Sequence, residues 1–208
     1  MERATAVLLD LREHSVEGEL QLPLDQLGLT LHHNLGENPS TLVARMGSEL
    51  ARYIAEHVAA TAPDGRAFDI AVRSLEVRPV DGANCLVALL SMQPPPGAAT
   101  GAFTLRYDAI VHRVVTHKVF VSIRSDFKNG VLSDQPELLG VLRYRSTDLV
   151  IDRSNGTWWK GFRSVFVLGV RHIAEGTDHL LFLLVLLLAA PWSRAGPGGE
   201  RPTPCHGA

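Results

Sequence analysis

The chain has little that would mark it as a soluble enzyme or a nucleic-acid binder. No basic patch or stripe stands out, and the formal net charge is −2, so an electrostatic footprint for DNA or RNA is missing. No glycine-rich phosphate loop, nucleophile elbow or paired CxxC motif occurs, which removes the commonest catalytic signatures. Of the two cysteines, Cys85 lies in an apolar run and Cys205 in a Gly/Pro-rich terminal stretch. Their different surroundings predict two separate thiols rather than a disulfide, so cysteine usage does not fix the compartment. The start, MERATAVLLDLREH, lacks the basic beginning and long apolar centre of a signal peptide. The expectation is a protein that stays inside, or a true start farther upstream.

What is present is uneven. Hydrophobic residues make up 46% and charged residues 20% of the 208-residue chain. Up to about Thr157 the sequence reads as a water-soluble domain; from Trp158 to Trp192 it is rich in Leu, Val, Phe and Trp.

Within the first part, residues 5–22 read as two strands with a turn near His14–Ser15. Val16, Gly18, Leu20 and Leu22 alternate there with Glu17, Glu19 and Gln21. Leu42, Val43, Met46, Leu50, Ile54 and Val58 follow helical spacing behind Ser40 as N-cap, so a helix is expected over about 40–61. Strand-like runs recur at Phe68–Arg78, Asn84–Met92, Gly101–Asp108, Lys118–Arg124, Leu139–Tyr144 and Asp148–Ile151, divided by turn chemistry such as Asp81-Gly82 and Asn129-Gly130. Many short strands and one helix predict a mainly β domain over 1–152, an antiparallel immunoglobulin-like sandwich with a helical insertion.

Trp158-Trp159-Lys160 opens the apolar part, as suits residues at headgroup depth, and 153–163 is expected to be an interfacial linker. Only Leu180–Ala190 is uninterrupted apolar sequence. Extended back to Ser164, the segment reaches the roughly 20 residues that cross a bilayer core. A single transmembrane helix is therefore expected over 164–192, followed by a disordered tail over 193–208.

Five ionisable residues lie inside that segment: Arg171, His172, Glu175, Asp178 and His179. At about 100° per residue they share one sector roughly 120° wide. Gly169 and Gly176 flank the sector and would let another helix approach closely. Charge is costly in hydrocarbon, so this face requires protein, water or an ion beside it. Imidazole with carboxylate suits a borderline divalent metal, making His172, Glu175, Asp178 and His179 the candidate ligands. His172 and His179 stand about 10.5 Å apart on a straight helix, too far for one ion unless Gly176 unwinds or other helices contribute. A neutralised seam built on an Arg171–Glu175 pair, or a proton relay, remains open on the same residues. Weaker candidates are His32-His33, and Asp108 with His112 and His117.

GVRHIAEGTDHLLFLLVLLLAAP resembles the hallmark segment of the HupE/UreJ membrane proteins, in the branch with a long domain before the helices. LRYDAIVHRVVTHKVFVSIRSD, PELLG, IDRSNGTWWKGFRSVFVLG and VEGELQLPLDQL are similar to the same branch, so the resemblance covers roughly residues 5–191. It implies an extracytoplasmic β-rich domain, several membrane helices in a bacterial inner membrane, and a permease for nickel or cobalt with no permanently bound cofactor. Its first-helix motif, a histidine before a Gly-x-Asp-His group, falls on His172, Gly176, Asp178 and His179; Glu175 joins the candidate ligands from the helical projection alone. Implied partners are the lipid bilayer, the transported ion and other transmembrane helices or subunits. After Pro191 the expected further helices are replaced by SRAGPGGERPTPCHGA, so the chain is expected to be a truncated member, not an enzyme. The alternative is a membrane-anchored interaction module without transport activity.

Overall fold

A computed structural model describes residues 4–132 and 136–175. Nine strands and three α-helices are described, in the order β1 (Thr5–Leu11), β2 (Val16–Pro23), α1 (Leu24–Leu31), α2 (Leu42–His57), β3 (Val58–Thr61), β4 (Asp69–Val80), β5 (Ala83–Gln93), β6 (Ala102–Tyr107), β7 (Val119–Asp126), β8 (Glu137–Leu142), β9 (Asp148–Asp152) and α3 (Trp158–Glu175). The mainly β expectation agrees with this order.

Six strands form one sheet in the order β4-β5-β2-β1-β7-β8, and three form another, β3-β6-β9. Every pairing is antiparallel except β1 with β7, which run parallel. A division into six and three strands does not establish the immunoglobulin-like topology expected from the sequence, whose constant-type form divides about four to three. Val7 and Leu9, Leu20 and Leu22, Leu86 and Leu90, and Val121 and Ile123 of the large sheet enter a continuous buried core with Ala60, Phe103, Leu105 and Tyr107 of the small one. Period-two alternation produces this directly, since successive side chains on a strand point to opposite faces.

Two local details differ from the sequence reading. Pro23 ends β2 as expected, but the chain passes at once into α1, whose Leu24, Leu27 and Thr30 are buried. The helix expected over about 40–61 occupies Leu42–His57, after a 3₁₀ turn at Pro39–Thr41, and Thr41 rather than Ser40 is its N-cap. Val58–Thr61 leaves the helix to pair with β6. Val58 is buried in the strand and also continues the helical spacing of Leu50 and Ile54, so apolar spacing alone could not place the boundary. By contrast, Asp81-Gly82 forms the two-residue hairpin turn its sequence announces, with φ of 48° and 77°.

The chain divides into two compact units, Met1–Phe166 and Val167–Ala208. The first takes in 153–163, the stretch read as a linker. Gly161 explains part of this: a Cβ there would collide with the Phe127 carbonyl oxygen, so only glycine allows the first turn of α3 to lie so close to Phe127. Among the described residues no helix is long and apolar enough to cross a membrane. Of the segment expected to span, 164–175 lies on α3 and the rest, with the Leu180–Ala190 run and the tail, falls outside the described residues.

Candidate functional site

The four ligands expected from the sequence are placed unequally. His172 and Glu175 lie on α3; Asp178 and His179 fall outside the described residues. Among the described residues no group of three or more His, Cys, Asp or Glu is gathered as a metal ligand set.

The weaker candidates separate. His32 is the C-cap of α1 in the left-handed region, with φ of 57°. Together with His33, Asp25 and Asn34 it lines an open cleft of about 630 Å³. His117 is buried, its Nε2 2.8 Å from Thr5 Oγ1. It therefore does not join Asp108 and His112, although the three are close in sequence.

Asp108 and His112 do come together, and with a residue that sequence reasoning missed, His57 at the end of α2. The His57 Nδ1 is 2.6 Å from Asp108 Oδ1, and the His112 Nδ1 is 2.9 Å from the Asp108 carbonyl oxygen. The two imidazoles stack, with centroids 4.4 Å apart and planes 9° from parallel. Tyr53 lies tilted against His57 at 4.5 Å. Its hydroxyl accepts the Ile110 N–H at 2.9 Å. Burial raises the Tyr53 phenol to about 12, with Asp108 adding to the rise. Ile110 holds φ of 64°, an uncommon conformation for a β-branched residue. The turn tolerates it because Ala109, Ile110 and Val111 are all fully buried, anchoring the segment in the core.

A second polar cluster lies on the large sheet. Arg124 of β7 donates to Asp10 of β1 through Nη2 at 2.6 Å and Nε at 3.1 Å, and to Glu19 of β2 through Nη1 at 2.6 Å. Gln21 donates to the other Glu19 oxygen at 2.8 Å, and Arg78 of β4 also pairs with Glu19. Asp10 and Glu19 are only 5% and 6% exposed, which two carboxylates tolerate when each is hydrogen-bonded to a cation. Burial alone would raise the Glu19 pKa. Hydrogen bonds from Gln21 and Arg124, with the charges of Arg124 and Arg78, outweigh it and hold the carboxyl below its ordinary value.

Residues 146–195 match the family model described as HupE / UreJ protein. The resemblance to that family is shown for this stretch, which contains β9, α3 and all four expected ligands. The sheets up to β8 and the His57–Asp108–His112 cluster lie outside it. No curated protein matches the chain.

Proposed function

We propose that this chain is a membrane protein of the HupE/UreJ type, which handles a divalent metal ion, nickel or cobalt, on the polar sector of a helix over 164–192. The single observation behind this reading is the coincidence of two things in one segment. Residues 146–195 match the family, and within them the sequence spacing of His172, Glu175, Asp178 and His179 would put all four on one sector of a continuous helix. The β-rich unit would then stand on the extracytoplasmic side of a bacterial inner membrane.

The chemistry assigns a role to each residue. His172 and His179 offer neutral imidazoles to a borderline ion, in two successive positions because about 10.5 Å separates them. Glu175 stands between them and hands the ion from one to the other. Asp178 either ligates or orients a neighbouring imidazole. Polar groups at membrane depth need protein or water around them, so further helices or subunits complete the path. Such transport makes and breaks no covalent bond, so no enzymatic step is assigned.

Arg171 and Glu175 have the i,i+4 spacing of a helical ion pair, which favours a second reading, a structural seam in a membrane-anchored interaction module. Cellular nickel and cobalt accumulation separates the two. Alanine at His172, Asp178 or His179 in the gene that encodes the chain should reduce accumulation while membrane abundance is kept. Unchanged accumulation in all three variants would reject transport and leave the seam.

A further inference from the structure

We propose that Asn155-Gly156, at the entry to α3, is a self-modification site at which the asparagine deamidates through a succinimide. The inference uses only the chemistry and packing of this turn and does not rest on the transport reading.

The sequence holds two Asn-Gly dipeptides, Asn129-Gly130 and Asn155-Gly156, and the fold treats them oppositely. Asn129 is held in place. Its Nδ2 donates to Asp126 Oδ2 at 2.7 Å and to the Arg153 carbonyl oxygen at 3.2 Å, and its backbone N–H donates to Asp126 Oδ1 at 3.2 Å. The next nitrogen is engaged too, since the Gly130 N–H donates to the Phe127 carbonyl oxygen at 3.1 Å. Asn155 has none of this. It is exposed, in the turn between β9 and α3, and among the described residues neither its side chain nor the Gly156 N–H makes a hydrogen bond. With no Cβ on Gly156, that nitrogen is also unhindered by a side chain of its own.

The step needs only the chain and water. The Gly156 nitrogen gives its proton to solvent base and bonds to Asn155 Cγ; the Cγ–Nδ2 bond breaks and Nδ2 leaves as ammonia, closing the succinimide ring. Water then opens the ring at one of its two carbonyl carbons. Breaking the bond to Cγ leaves aspartate at 155. Breaking the bond to the main-chain carbonyl carbon leaves isoaspartate, with the backbone rerouted through Cβ. Nothing is oxidised or reduced, and an amide has become a carboxylate.

Position separates the two products. The chain is pinned on both sides of residue 155. Upstream, the Arg153 N–H donates to the Gly101 carbonyl oxygen at 2.6 Å, and its own carbonyl accepts from Asn129. Downstream, a Cβ on Gly156 would lie 2.7 Å from Lys128 Cβ, and one on Gly161 would collide with the Phe127 carbonyl oxygen, so both glycines sit hard against the Phe127–Asn129 turn. Aspartate keeps the chain length and sets a negative charge before the N-terminus of α3, where it is favourable. Isoaspartate lengthens the backbone between two fixed points, and the first turn of α3 lifts from its seat to take up the difference.

The test is peptide mapping by mass spectrometry on the full chain, aged at neutral and mildly alkaline pH, folded and in urea. In the folded protein Asn155 should convert at least about 10-fold faster than Asn129, whose hydrogen bonds must break first. In urea the two rates should converge, because the dipeptide is the same and only the fold distinguishes them. Conversion should quicken with rising pH, since the attacking nitrogen must lose its proton. Hydrogen exchange in the first turn of α3 should speed up in aged protein and not in aged Asn155→Gln protein, whose longer side chain closes the ring poorly. An unconverted Asn155, an Asn129 that converts as fast in the folded chain, or a difference that survives urea would each overturn the site. Unchanged exchange in isoaspartate-containing protein would overturn the unseating of α3. The rates are read on the unsubstituted protein, so a variant that fails to fold does not protect the proposal.

Discussion

The β-rich unit contains two polar clusters of opposite economy. Around Arg124, every strong acceptor of Asp10 and Glu19 meets a donor from Arg124, Arg78 or Gln21. Around Asp108, the acceptors are met too, but each imidazole keeps a nitrogen in hand. Both clusters tie together distant parts of the chain. The difference teaches how the two act: a fully paired buried network acts on stability, whereas a half-used, partly exposed one leaves ring nitrogens to solvent and contributes less to it.

The comparison breaks most easily at Arg124. Arg124→Met should leave two buried carboxylates short of a partner and cost about 3 kcal/mol, the lower end of what breaking a buried pair costs, because the guanidinium is partly solvent-exposed. Urea unfolding followed by circular dichroism measures it. A loss under about 1 kcal/mol would mean that the cluster is a surface network after all.

Next in size is the response to acid. The folded pKa of Glu19 is depressed, so its contribution to stability is present above the ordinary value of 4.5 and disappears as pH falls through the lower folded value. Unfolding free energy measured from neutral pH downward should therefore begin to drop near 4.5. Glu19→Gln should flatten that part of the profile; an unchanged slope would assign the acid response elsewhere.

The smallest stability effect belongs to the histidines. His57→Gln and His112→Gln should each change stability by less than about 1 kcal/mol, since one ordinary hydrogen bond at a partly exposed site is lost. A large loss of stability from either would blur the contrast between the clusters.

Sequence reading reached the strands because alternation is a local signal: Val16 to Leu22 and the Asp81-Gly82 turn each carry it within a few residues. It overran α2 because Val58 satisfies helical spacing and strand pairing alike. It missed α1 because Pro23 reads only as the end of β2, and the eight residues Leu24–Leu31 are little more than two turns, too few to show a helical period. The histidine cluster was half legible. Asp108 and His112 are four residues apart, and a turn brings them together; His57 is 51 residues away and only the pairing of β3 with β6 delivers it. Arg124, Asp10 and Glu19 gave no signal at all, since a charge in a strand reads as solvent-facing until the neighbouring strands are known. The residues of the polar helix sector owed their prominence to the opposite circumstance, charges set where an apolar run made them conspicuous.

The parallel pairing of β1 with β7 has a consequence for how the chain is made. Asp10 is synthesised 114 residues before Arg124, a delay of roughly 6 to 23 seconds at ordinary translation rates. Throughout that interval β1 keeps an open edge, the kind of edge on which nascent chains aggregate. Asp10 sits on that edge as an unneutralised charge, which repels a wrong strand and is costly to bury without a cation. When β7 arrives, its arginine removes the repulsion. The same carboxylate therefore guards the edge before assembly and closes it afterwards.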